Sequence, residues 1–161
     1  MWPNDTFILD LAKPSIKASE GFSAKPYMDA GHPANGYGTH NYPSGMPVTM
    51  YDREIDTGFA EACLTADCTK RLTAMSERIT RAPTVHQAAA LLSFAYNEGV
   101  PALLGSTLVS LFDHNDTTGA ADQFGKWVYG HVNGKFVVIP GLVKRRAAER
   151  AMFLTPDAAI A

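Results

Sequence analysis

The stretch Ser19-Glu20-Gly21-Phe22-Ser23-Ala24-Lys25-Pro26-Tyr27-Met28-Asp29-Ala30-Gly31-His32-Pro33-Ala34-Asn35-Gly36-Tyr37-Gly38-Thr39-His40 decides how this chain is read. Glu20-Gly21 closes a helical pattern, Asp29 follows nine residues later, and a Gly-Tyr-Gly turn comes after it. Helical periodicity does not bring Glu20 and Asp29 together, so chain reversal must set them facing each other. Two carboxylates in different surroundings suit glycoside hydrolysis: one stays protonated to donate to the leaving oxygen, the other stays ionised to work on water or on positive charge. Taken alone the pair says little. The chain holds 16 acidic residues, most such groups are solvated, and Asp29 before Ala30-Gly31 also fits an ordinary turn-forming aspartate.

Around this stretch the chain reads as mainly helical with a small β region. Thr6 to Ala12 and Pro14 to Glu20 form one interrupted helix or two short ones, because proline suits a first turn but not a helix interior. Phe22 to Val48 is rich in Gly, Pro and aromatics without helical period, which predicts a short twisted hairpin with Gly31, Gly36, Gly38 and Gly45 at its turns. Asp56 or Thr57 caps a long amphipathic helix whose apolar stripe is Ala60, Leu64, Cys68, Leu72, Met75 and Ile79. Thr84 with Gln87 makes a capping box before Ala88 to Tyr96, a segment apolar nearly all round that belongs inside a bundle. Ser106 caps Thr107 to His114, and Thr117 or Thr118 caps Gly119 to Tyr129. Asn133-Gly134 is a hairpin signal, and Pro140-Gly141 opens the last helix, Leu142 to Phe153.

Composition agrees with one enzyme-sized domain of 161 residues, 46% hydrophobic and 19% charged. A net charge of -2 offers no basic footprint, which argues against nucleic acid as a partner and against electrostatic capture by an anionic wall. The N-terminus has no basic segment leading into an apolar run, so neither a signal peptide nor membrane insertion is expected. Cys63 and Cys68 would stand about 140° apart on a helix, which rules out a disulfide between them without breaking it. Without further cysteines or paired histidines there is no metal-ligand spacing, and the two thiols read as buried and free.

Residues Ile16 to Gly38, I-K-x-S-E-G-F-x-x-x-P-Y-x-D-x-G-x-P-x-x-G-Y-G, resemble the active-site segment of the phage-type lysozymes, glycoside hydrolase family 24. The likeness continues in A-L-L-S-F-A-Y-N-E-G at Ala90 to Gly99, S-T-L at Ser106 to Leu108, G-A-A-D-Q-F-x-K-W-V at Gly119 to Val128 and P-G-L-V-K-R-R-A-A-E-R-A-M-F at Pro140 to Phe153, in the family's order. The resemblance implies an α+β, mainly helical, two-lobed lysozyme-like fold in one domain over 1–161. Its small β lobe would lie at about 22–55, and its helical lobe at about 57–161 with the N-terminal helix added. It implies a monomeric muramidase that cuts the β-1,4 bond between N-acetylmuramic acid and N-acetylglucosamine in bacterial peptidoglycan, without cofactor or metal. It also implies storage in the host cytoplasm and release through a pore made by a separate protein.

By that resemblance Glu20 is the general acid and Asp29 the group that activates water or stabilises charge. The family pattern T-x-G-x-G is here Ala34-Asn35-Gly36-Tyr37-Gly38, so the usual threonine is absent and the loop is one residue shorter. Asn35 or Thr39 is then expected to position the water, and His40 lies close by. The family sets an arginine of the last helix against the catalytic glutamate, and Arg145 and Arg146 both qualify. Surface pairing with Glu149 or Asp157 is expected for at least one of them. Asn97 suits a sugar amide or a helix end, and Trp127 suits the core. The other readings are a lysozyme fold that binds the wall without cutting it, a toxin-like effector domain with the same chemistry, and a lytic transglycosylase, which needs only the glutamate.

Overall fold

The computed structural model describes Trp2 and residues 5–157. Helix α1 (Asp5–Glu20) runs unbroken through Pro14, where the sequence predicted an interruption. Ile8, Ala12 and Ile16 recur every four residues and are buried, whereas Asp10 and Pro14 are exposed on another face. The carbonyl that Pro14 deprives of its usual donor is that of Asp10, on the water side, so the buried stripe keeps the helix continuous. Gly21 ends it at φ +70°, its N–H donating to the Lys17 carbonyl at 3.0 Å.

Strand β1 (Ser23–Asp29) pairs antiparallel with β2 (His32–Gly36), Asp29 opposite His32. The two-residue connection Ala30-Gly31 has φ of +46° and +87°, the mirror-image turn that matches strand twist. The chain then doubles back, Asn35 and Thr39 exchanging both backbone hydrogen bonds at 3.1 and 2.8 Å. Gly36 sits at φ +58°, and a Cβ there would stand 3.1 Å from the Ala60 side chain, so the turn packs too tightly on the next helix for any other residue. A polar chain braces this lobe from within. Asn35 Nδ2 donates to the Tyr42 hydroxyl at 2.8 Å, and that hydroxyl donates to Asp52 Oδ2 at 2.7 Å.

Helix α2 (Thr57–Ser76) is capped by Asp56, whose carboxylate accepts from the Phe59 N–H at 2.7 Å. Its expected stripe is buried, Ile79 lying just beyond its end. Cys63 and Cys68 are free and buried, and burial pushes the Cys68 thiol up to about 12. The helix packs on α1, β2 and the next helix, which joins the hairpin to the bundle. That next helix, α3 (Val85–Glu98), begins with the anticipated Thr84/Gln87 capping box, and every residue from Gln87 to Tyr96 is buried. A short α4 (Val100–Leu104) was not anticipated; Gly99 at φ +90° and Pro101 in its first turn start it.

Ser106 caps α5 (Thr107–Asp113) as expected. For α6 (Thr117–Gln123) the expectation is corrected, because the cap is Asp116, whose carboxylate accepts from the Gly119 N–H at 2.8 Å. Nor does α6 reach Tyr129. A 3-10 turn at Phe124–Lys126 buries Phe124, and the β-prone residues beyond it form β3 (Tyr129–Val132), paired with β4 (Lys135–Val138) through Asn133-Gly134. Helix α7 (Pro140–Leu154) packs on α3, and Trp127 meets Phe94 edge-on at 5.2 Å. Among the described residues no helix is long and apolar enough to cross a membrane.

The Thr49 hydroxyl and N–H, with the Tyr42 hydroxyl, hold the Asp52 carboxyl below the usual carboxylate range. A depressed folded value means this support is complete above the unfolded value of about 4 and is lost as pH falls through the lower folded value. Thermal unfolding scans between pH 5 and pH 2.5 should therefore show a smaller acid destabilisation in Asp52→Asn than in the wild type.

Candidate active site

Glu20 is the last residue of α1, delivered to the seam between hairpin and bundle by the turn at Gly21. Its Oε1 accepts from Arg145 Nη1 at 2.6 Å. Its Oε2 faces the backbone of Gly38, where an added Cβ would stand only 3.4 Å from that oxygen. Gly38 is at φ +83°, so two constraints make this position glycine, the backbone conformation and the approach of the carboxylate.

Arg145 is held from three sides. Besides Glu20 it donates to the Ser93 carbonyl at 3.1 Å and through Nε to Glu149 Oε1 at 3.2 Å. Arg146 points elsewhere, to Glu98 at 3.2 Å and to Asn97 Oδ1 at 3.0 Å, with its Nε 2.7 Å from Glu149 Oε2. The geometry thus separates the two candidates: Arg145 meets Glu20, and Arg146 braces the C-terminal end of α3. The expected surface pairing is corrected. Glu149 is wholly buried and bridges both arginines, with the Ser93 hydroxyl donating to it at 2.8 Å. Burial pushes its carboxyl upward, against the pull of Arg146, Ser93 and Arg145. Asp157 is occupied by His86, and the exposed pair on α7 is Arg150 with Asp122.

Asp29 ends β1, half exposed. Tyr27 is two residues back on the same face of the strand, and burial, then the negative charges of Asp29 and Glu20, push its hydroxyl upward. Asp29 Oδ2 also lies 3.2 Å from His40 Nε2. The expectation for Asn35 is corrected: its side chain is fully buried and its amide nitrogen is spent on Tyr42, so it braces the lobe and does not meet the cleft. Thr39 is buried beside it, held by the antiparallel bridge to Asn35.

Glu20 stands between two cavities. One of about 490 Å³ is lined by Glu20, Asn97, Ile139, Lys144 and Arg145. The other, about 540 Å³, is lined by Gly38, His40, Tyr42, Asp67, Lys70 and Arg71. Asn97 is exposed, lines the first cavity and accepts from Arg146, while the end of α3 is capped by Gly99 and not by Asn97. Tyr27 escaped the sequence reading, its signal being the i, i+2 relation to Asp29. Glu149 reads in the sequence as a surface partner because its i+3 and i+4 spacing from Arg146 and Arg145 is a pattern that surface pairs share.

Replacing Glu149 by Gln leaves two adjacent buried guanidinium groups without their shared anion. A loss of about 3–5 kcal/mol is expected, as for a broken buried ion pair, and should be read from urea unfolding at pH 7.

The description of the phage lysozyme family matches residues 17–149. An endolysin of Acyrthosiphon pisum secondary endosymbiont phage 1 is 37% identical over 140 residues, covering 86% of this chain and 91% of that protein. The solved endolysin of Escherichia coli O157:H7 phage FAHEc1 superposes with a TM-score of 0.80 at 32% identity, over 96% of this chain and 94% of that one. The muramidase domain of SpmX from Asticaccaulis excentricus superposes at 0.78 with 26% identity, over 95% and 97% of the two chains. With the family matching residues 17–149 and a relative 37% identical over most of both chains, the chain belongs to the phage lysozyme family.

Proposed function

We propose that Glu20 and Asp29 carry the peptidoglycan hydrolysis of this phage lysozyme, Glu20 as general acid and Asp29 as the carboxylate that activates water or stabilises developing positive charge. The observation that supports this most is the asymmetry of Glu20. Arg145 occupies Oε1 at 2.6 Å, which leaves Oε2 free beside Gly38, between the two cavities. A proton on Oε2 is then the one presented to a glycosidic oxygen. Asp29 differs in being half exposed on a hairpin, in reach of solvent and of a histidine. Asn97 and Lys144 line the Glu20 cavity and suit the amide and hydroxyl groups of amino sugars, Asn97 offering both donor and acceptor.

The bond assigned is the β-1,4 linkage from N-acetylmuramic acid to N-acetylglucosamine. One two-lobed domain acting as a monomer, without nucleic acid or membrane insertion, and release to the wall through a separate pore belong to the same reading.

Glu20→Gln should keep the fold and lose about a hundredfold or more in lysis of purified walls, since an amide cannot donate the proton. Retained turnover in the folded variant removes Glu20 from the mechanism. Asp29→Asn should be nearly as damaging. Mass analysis of wall fragments should show reducing muramic ends; anhydro ends would mean transglycosylation, and intact walls with bound protein would mean a binder.

A further inference from the structure

Asp29 owes its placement to one ring. His40 Nδ1 lies 3.0 Å from the Pro33 carbonyl oxygen, and His40 Nε2 lies 3.2 Å from Asp29 Oδ2. A carbonyl only accepts, so Nδ1 carries a proton. Nε2, on the other side of the ring, is the atom that meets Asp29, so one ring spans from a backbone carbonyl of β2 to the carboxylate at the end of β1.

Ala30, Gly31, Pro33 and Ala34 bear no side-chain donor, Asn35 is buried on Tyr42, and the other donor of this loop is His32, cross-strand from Asp29. The groups facing His40 are Asp29 on β1, His32 on β2 with its ring edge-on at 6.3 Å, Tyr42 of the following loop, and Asp67, Lys70 and Arg71 across the cavity on α2. Asp67 is already paired with Arg71 at 3.0 Å, which leaves Asp29 as the carboxylate that His40 serves.

We propose that His40 is a positioning residue for the reaction: it spans from the Pro33 carbonyl to Asp29 and fixes the carboxylate in one orientation beside the cleft. An exposed contact of this kind adds little stability, and the gain here is orientation, where a misplacement of about 1 Å costs up to about a hundredfold. The proposal rests on the assignment of Asp29 as the second carboxylate.

The test compares wild type, His40→Gln and Asp29→Asn on purified walls and on soluble glycan fragments. His40→Gln should lose between about tenfold and a hundredfold in kcat near pH 5.5 with KM nearly unchanged. A purely structural histidine would instead lower thermal stability and leave kcat of the folded variant near that of the wild type. Three-bond couplings of the Asp29 β-protons give a readout without activity. They should report one rotamer in the wild type at pH 5.5 and an average in His40→Gln. Unchanged couplings and an unchanged kcat in His40→Gln, with Asp29→Asn inactive, overturn the role of His40 alone. Full activity in Asp29→Asn, with couplings still responding to His40, overturns the assignment of Asp29 and with it any part for His40 in the reaction.

Discussion

A single buried carboxylate, Glu149, holds the seam of this molecule together. It has no exposure and lies within about 3 Å of two guanidinium groups that belong to adjacent residues of one helix. Neighbours on a helix point about 100° apart, so two arginines in sequence cannot normally share a partner. They share one here because Glu149 is i+4 from Arg145 and i+3 from Arg146, on the face between them. Each arginine then has a fixed stem and a free end. Arg145 spends its end on Glu20, from α1, and Arg146 on Glu98 and Asn97, from α3. Three helices are thereby tied through one ion cluster, and the helix end that carries Glu20 is placed by it.

The hairpin is placed by different means. A two-stranded sheet is marginal by itself. This one is anchored by close approach, with Gly36 against Ala60 and Gly38 against Glu20, and by polar links from Asn35 through Tyr42 to Asp52. The Tyr96 hydroxyl adds a bond of 2.8 Å to the Tyr37 carbonyl, so the central helix also grips the turn. Those contacts explain why the Gly-Tyr-Gly segment is nearly without exposure although it is a turn.

Much of this was legible in the sequence, for reasons that differ by element. The stripe of α2, the capping box of α3 and the Asn133-Gly134 turn are local signals, and each is where period and turn chemistry put it. Failures came where a distant contact overrode a local rule. Pro14 should have broken α1, but the burial of Ile8, Ala12 and Ile16 outweighs one missing hydrogen bond on the water side. Asn35 beside Gly36 looked free to hold a water, and only the fold reveals Tyr42 waiting for its amide. The choice between Arg145 and Arg146 was open because spacing alone does not say which face of the last helix meets α1.

The two carboxylates end up under opposite regimes, and that contrast suits their assigned roles. Glu20 is embedded in the better packed part of the molecule, one oxygen pinned by a buried cation. A general acid benefits from such fixity, because proton transfer demands a set distance to one oxygen of the substrate. Asp29 sits half exposed at the end of a hairpin whose links to the bundle are the close packing of Gly36 on Ala60 and the Tyr96 hydroxyl on the Tyr37 carbonyl. The placement of Asp29 therefore depends on how the hairpin is attached to the helices, and that of Glu20 on the ion cluster of the core.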